Sequence, residues 1–284
     1  MDILVAQIFN GLVMGSVYVL VALGLNLIFS ITDIPDFAQG ALYMVAAYAA
    51  YFAVTYLHLP FILALIVAMG VGAALAYLSN RLLYSRWTDA PRTQLLCAIA
   101  LFFLIANVAN WAFTSKAKLF PTYLPGTVEV MGYPLSYQRF VVLGAAALLF
   151  ILVYLFIMKT KLGKAIRAAS QDAEMAEVVG INIKQVTSVV FLMGGALSGA
   201  AGAVVAPLYS VYPSAGDLPL LKALVVVILG GFGSVAGVLI CGIGLGVLEA
   251  LGSVYISSAY QHWYAFFILI LILWFRPLGL FGRV

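Results

Sequence analysis

The sequence predicts an all-α, polytopic membrane protein of eight to ten membrane segments, folded as one permease-like domain over residues 1–284. Three observations predict it. The 284-residue chain is 65% hydrophobic and only 8% charged, with a mean hydropathy of +1.14, whereas a soluble domain carries about a quarter charged residues. No Asp, Glu, Lys or Arg interrupts residues 3–32, 37–80, 93–115, 140–158, 185–216, 223–248 or 250–275. About 20 apolar residues cross the hydrocarbon core as a helix, so several of these stretches hold one span and residues 37–80 hold two. Finally, eight of the 24 charged side chains fall between Lys159 and Lys184, which marks that segment as an aqueous loop.

Taken in order, the expected spans are 4–29, 38–57, 61–83, 94–113, 139–158, 186–209, 219–236, 238–256 and 260–276. The first is not a cleavable leader, because Asp2 is the only early charge and the apolar run is too long. His58-Leu59-Pro60 is the turn between the second and third spans. The loop with Arg81, Arg86 and Arg92 and the loop Lys159–Lys184 are separated by two spans and so share a side, which the excess of cations makes cytoplasmic. Arg276 and Arg283 fit the same side if the last third of the chain crosses three times. Loop 114–138 then lies outside, although Lys116 and Lys118 run against the rule, and the N-terminus lies outside with it.

The helical pattern breaks in two places, near 30–40 and 229–238. In SITDIPDFAQGALYM (30–44), Pro35 lacks an amide donor, and Asp33, Asp36 and Gln39 are costly in lipid. In ILGGFGSVAGVL (228–239), Gly230, Gly231, Gly233 and Gly237 fall within eight residues. Interrupted helices at membrane depth are tolerated where they line a cavity or are buried in protein. Two readings stay open for each. Residues 33–36 form a wet turn or a pathway element, and the glycines serve close packing (Gly233/Gly237, Gly242/Gly246) or a pathway. Gly11/Gly15 and Gly195/Gly199 are read as packing pairs. Glu249 is expected near a helix end at the membrane surface, Lys222 and Asp217 at the interface, His262 in an aromatic belt, and Cys97 and Cys241 as packing residues.

The chemistry of an enzyme is missing. There is no glycine-rich phosphate loop, no His-Glu-x-x-His and no Cys/His cluster, so neither a catalytic residue nor a metal site is expected, and no nucleic-acid partner. Energy for transport would have to come from an ion gradient or a partner. Residues 165–180 are expected to form a short helix along the membrane surface. Its apolar face is Ile166, Ala169, Ala173 and Ala176; Arg167, Gln171, Asp172, Glu174 and Glu177 project elsewhere, and Gly180 ends it. The small alanines are expected to seat in a groove on another protein.

Four stretches carry a family resemblance: FNGLVMGSVYVLVALGLNLIFSI (9–31), DFAQGALYMVAAY (36–48), GKAIRAASQDAEMAEVVGINI (163–183) and LKALVVVILGGFGSVAGVLICGIGLGVLEAL (221–251), with RPLGLFGR (276–283) as a similar ending. The chain resembles the membrane-spanning permease subunits of bacterial ABC importers for branched-chain amino acids, a family that extends to urea and amide importers. The resemblance implies a type II importer permease, multi-pass in the bacterial inner membrane. It implies a second permease, homologous or identical, two cytoplasmic ATPase subunits that bind ATP and Mg, and a periplasmic solute-binding protein. It makes 163–183 the coupling segment, with Ala165, Arg167, Asp172, Glu174, Glu177 and Gly180 toward the ATPases. It makes Asn26, Asp36, Gln39, Gly230, Gly231 and Gly233 candidates for the translocation pathway. Asp36 stands where the family often has Asn, and Gln39 where many members have His. The implied function is ATP-driven import of branched-chain or related small amino acids or amides by alternating access. The rival from another class is an ion-coupled secondary transporter using Asp33, Asp36 or Glu249, and an inert membrane scaffold is a third reading.

Overall fold

The computed structural model describes residues 2–88, 90–121, 126–130, 133–277 and 279–282. The helices are α1 (Asp2–Thr32), α2 (Ala38–Thr55), α3 (Phe61–Leu82), α4 (Pro91–Phe113), α5 (Tyr137–Lys159), α6 (Lys161–Ala169), α7 (Ala173–Val178), α8 (Ile183–Val205), α9 (Asp217–Gly230), α10 (Val235–Tyr255) and α11 (Gln261–Phe275). Among the described residues seven helices are long and apolar enough to cross a membrane. Helix α2, with Gln39 and three tyrosines in 18 residues, and α9, with 14 residues, are not among them. At 1.5 Å per residue α9 spans about 21 Å, short of a hydrocarbon core of about 30 Å. The seventh expected span is therefore shorter than 219–236, because the glycine turn ends it at Gly230.

Helix α1 is the hub, with 83% of its apolar window buried. It packs antiparallel against α10 and α8 through glycines. A Cβ on Gly11 would lie 2.5 Å from the Val247 Cα, one on Gly15 2.8 Å from the Gly242 oxygen, and one on Gly24 2.8 Å from the Gly194 oxygen. Helix α3 meets α8 in the same way, Gly195 lying against Gly72 and Gly199 against Ala68. Lipid supplies no hydrophobic drive between helices, so close backbone approach and interhelical hydrogen bonds hold them. The packing reading of Gly11/Gly15, Gly195/Gly199 and Gly242/Gly246 fits this geometry. Gly233 does not fit it: no atom lies near its missing Cβ, and its φ of +77° is what the position requires.

The outer lipid-facing layer is α3, α4, α5 and α11, whose apolar side chains are largely exposed, as Trp111, Leu152, Phe267 and Trp274 are. Inside, Cys241 and the buried faces of α1, α2, α8, α9 and α10 form the core. One feature departs from the all-α expectation: Thr127–Val130 (β1) and Tyr133–Ser136 (β2) pair antiparallel in loop 114–138. In the same loop Lys118 exchanges two backbone hydrogen bonds of 2.9 Å with Val211. Its ammonium lies 5.1–5.8 Å from the rings of Tyr51, Phe52 and Phe113, so this cation is held by aromatic faces. Of the two tail arginines, Arg283 lies outside the described residues.

Within the membrane helices, glycine identity is therefore expected to matter at the crossings. Gly246→Val puts carbon on the Gly11–Gly15 backbone, 2.4 Å away, and overpacking of this kind costs about 1–3 kcal/mol or more. Gly144→Ala, with open space around it, should be silent. Thermal melts of the purified variants in detergent check the contrast.

Candidate functional site

The two predicted breaks are built differently. At the first, α1 ends at Thr32, Asp33 takes a left-handed φ of 55°, and α2 restarts at Ala38. The buried Asp36 carboxylate accepts from the Tyr84 hydroxyl at 2.8 Å and the Ala38 amide at 3.0 Å. It is thus neither a wet turn nor a cavity wall of any size; the gap beside it is about 10 Å³. Burial pushes the Asp36 carboxyl up to about 6, against the two hydrogen bonds, which pull it down. Gln39, fully buried one turn later, accepts from the Ser198 hydroxyl of α8. Its amide nitrogen has no hydrogen-bond partner among the described residues.

At the second break, Gly231 (φ +82°) and Gly233 (φ +77°) turn the chain between α9 and α10. Asn26 of α1 accepts from the Gly233 amide at 2.9 Å, Ser234 caps α10 through Gly237, and Phe29 stacks on Phe232 at 4.0 Å. Gly230 packs on Gly237, and the C-terminal segment covers the turn through Leu280 bonded to Leu229 at 2.8 Å. Asn26, Gly230, Gly231 and Gly233 are thus brought together, while Asp36 and Gln39 form a separate cluster. None of the six lines either of the two cavities described next.

Those cavities lie around a group of residues that sequence reasoning assigned to the membrane surface. Lys222 of α9 and Glu249 of α10 form an ion pair, with side chains only 1% and 3% exposed. The Tyr18 hydroxyl donates to the second carboxylate oxygen at 3.0 Å, and the Lys222 ammonium also donates to the His262 carbonyl at 3.0 Å. Four helices, α1, α9, α10 and α11, thus meet at one charge pair. The expectations of an interfacial Lys222 and a surface Glu249 are corrected. Helix α9 starts inside the bundle, Gly216 touching Gly40 at the start of α2, and this draws Lys222 inward, one helix turn or so beyond. Asp217 itself stays partly exposed. The signal that could have found the pair is its isolation: each is a single charge amid apolar residues, and of opposite sign.

A cavity of about 440 Å³ opens beside Lys222, lined by Tyr18, Tyr43, Tyr209, Tyr212, Gln261 and His262 with Val17, Ala47, Val205 and Leu218. A second, of about 250 Å³, is lined by Glu249, Arg139, Asn10, Gln7 and Ser253. They share Met14, Tyr209 and Gln261. Small-molecule sites occupy about 300–1,000 Å³, mostly apolar with a few placed polar groups, and the larger cavity has that size and make-up.

The interior charged segment forms two helices, α6 and α7, in place of the single helix expected over 165–180. Asp172 interrupts it by accepting from the Met175 amide at 2.9 Å as the α7 cap. Thr160 caps α6 through Gly163 at 2.9 Å, and Gly180, at φ +89°, closes α7 by bonding Glu177. The apolar face turns inward: Ile166, Ala169 and Ala176 are buried in this chain, which corrects the expectation that the alanines face another protein. The free apolar side chains are Met175, Val178 and Val179, 65–81% exposed, beside the exposed Glu174 and Glu177. Ala165 and Arg167 are half-buried, and an Arg167 guanidinium nitrogen lies 3.1 Å from the Met158 sulfur.

A bundle of apolar helices around a buried charge pair, with a cavity beside it and an amphipathic helix pair between α5 and α8, is a multi-pass membrane permease. More narrowly, the chain belongs to the family described as branched-chain amino acid transport system / permease component, whose model matches residues 7–275. It is 33% identical over 292 aligned residues to the high-affinity branched-chain amino acid transport system permease protein BraD of Pseudomonas aeruginosa, covering 98% of this chain and 95% of that one. It is 30% identical to the corresponding permease protein LivH of Escherichia coli, with the same coverage. Among solved structures it is similar to PsaBC from Streptococcus pneumoniae in complex with Fab, at a TM-score of 0.46 and 17% identity, covering 97% of this chain and 90% of that one.

Two substitutions separate the buried polar groups. Glu249→Leu leaves the Lys222 ammonium unpaired and should cost about 3–5 kcal/mol, whereas Lys222→Met with Glu249→Gln removes both charges and should cost far less; detergent melting curves compare them. For Asp36, a carboxyl raised from its ordinary 3.8 to about 6 on folding favours the folded state below 3.8. That contribution is lost as pH rises through 6. Asp36→Asn keeps the acceptor for Tyr84 and Ala38, so melting curves between pH 4 and 8 should show wild type losing stability relative to the variant across that window.

Proposed function

We propose that the chain is a membrane-spanning subunit of an ATP-driven importer for branched-chain or related small amino acids or amides, multi-pass in a bacterial inner membrane. The single observation that carries the coupling half of this reading is α7. Its exposed Met175, Val178 and Val179 beside Glu174 and Glu177 make a small apolar patch with a carboxylate edge, on a hydrophilic excursion between two membrane helices. Such a patch is suited to a groove on a soluble partner. Two cytoplasmic ATPase subunits, which bind ATP and Mg, dock on that face of the assembly; a second permease, homologous or identical, completes the membrane unit; and a periplasmic binding protein delivers solute at the opposite end. Family membership, and relatives named as branched-chain amino acid permease proteins, support the substrate class.

Transport then proceeds by alternating access. ATP-dependent closure of the partners displaces α6 and α7 and shifts the membrane helices between two arrangements. The partners drive this only through contacts that differ between the two states. An ion-coupled carrier would need a buried ionisable group free to load an ion. Of the residues put forward for that role, Glu249 is held by Lys222 and Tyr18, Asp36 by Tyr84 and the Ala38 amide, and Asp33 lies exposed at the end of α1.

Replacing both Glu174→Lys and Glu177→Lys reverses the edge of the patch without touching the core. Uptake of leucine by proteoliposomes holding the whole assembly should fall roughly tenfold or more, with the chain still in the membrane and its ATPase partners lost on purification. Normal uptake together with normal solute-stimulated ATP hydrolysis would sink the docking assignment.

A further inference from the structure

Lys222 is the one fully buried cation among the described residues, and its hydrogen bonds are incomplete. An ammonium has three N–H donors. Glu249 takes one and the His262 carbonyl another, while the Phe266 ring lies 5.8 Å away. Lys222 borders the 440 Å³ cavity, and its third donor has no protein acceptor among the described residues. Around it stand phenol oxygens. Tyr18 donates its proton to Glu249, leaving its oxygen as an acceptor. Tyr43 and Tyr212 make no hydrogen bond through their hydroxyls among the described residues.

Resting on the function proposed above, we infer that this cavity is a transient binding site for a zwitterionic amino acid. The ligand carboxylate takes the open donor of Lys222, and its ammonium is received by the phenol oxygens of Tyr18, Tyr43 and Tyr212. Its apolar side chain lies against Val17, Val205 and Leu218. Glu249 determines specificity without touching the ligand. By cancelling the charge of Lys222 it makes the site neutral overall, and a buried uncompensated charge is strongly disfavoured. A zwitterion enters such a site without changing its net charge. A net anion or a net cation of the same shape does not.

The test uses the assembled importer in nanodiscs without its binding protein, and reads the thermal shift produced by leucine, leucinamide (a cation) and N-acetylleucine (an anion). Leucine should act at concentrations roughly tenfold lower than either analogue. No leucine shift, or equal shifts from all three, overturns the inference. Lys222→Met with Glu249→Gln should abolish the leucine preference, and Tyr212→Phe, a change at the partly exposed rim, should weaken leucine several-fold. Either variant binding leucine as wild type does would also overturn it. ATP-dependent leucine uptake by the wild-type assembly with its binding protein, measured separately, distinguishes the two proposals. Uptake without a leucine-selective shift leaves the function and removes this site, while absence of uptake removes the function itself.

Discussion

Helix α1 can occupy the centre of this bundle only because it has almost no side-chain bulk where α8 and α10 cross it. Gly11, Gly15 and Gly24 bring its backbone within van der Waals reach of theirs, and Gly242, Gly246 and Gly194 return the same surface from the other side. In lipid, apolar side chains are as well solvated as in a protein core, so contact distance decides which helices stay together. The tight seams on α1 have a second effect. They bring its polar side chains within hydrogen-bond range of other helices, Tyr18 reaching Glu249 and Asn26 reaching the Gly233 amide. A wider crossing at Gly15 or Gly246 would pull both contacts apart.

The breaks then follow as ways to satisfy backbone and charge inside protein. The α9–α10 turn needs two left-handed residues, which glycine adopts without steric cost, and Asn26 supplies an acceptor for an amide the turn leaves free. The α1–α2 break uses Asp36 on the Ala38 amide and Tyr84. Because α2 and α9 both start inside the bundle, with Gly40 against Gly216, each is shorter than a full crossing. That shortness places Lys222 opposite Glu249, beside the larger cavity.

The helices and their order were legible because charge-free runs and cationic loops leave few alternatives: each expected span overlaps an observed helix, and both breaks fall where Pro35 and the Gly230–Gly233 cluster put them. What was not legible depended on pairing across long sequence separations. Lys222 and Glu249 are 27 residues apart and each alone reads as a surface charge; only the depth at which α9 begins makes them partners. The split at Asp172 was missed because the alanine spacing is continuous through it, whereas the competing cap is local to one carboxylate and the Met175 amide. The two-stranded hairpin was hidden in a loop whose four-residue strands are too short to show a period.

Helix α8 bears on how the two ends of the molecule communicate. Its first turn follows directly on α7, where Asn182 caps it through Gln185. Its last turns, Gly202, Val205 and Ala206, line the cavity beside Lys222. Between these ends it is 23 residues long, about 34 Å at 1.5 Å per residue, and it is locked by glycine contacts to α1, α2 and α3. A helix held on three sides does not bend at one end and stay fixed at the other. Force that a partner applied at α7 would therefore reach α8 as a whole rather than at one end alone. The seams hold backbone and side-chain contacts alike, Gly202 meeting the Tyr43 carbonyl and Gly194 the Ile28 and Gln39 side chains, and the Ser198–Gln39 hydrogen bond ties α8 to α2. On the proposed function, that continuity is what connects a partner on the cytoplasmic side to a cavity at the opposite end without unfolding what lies between.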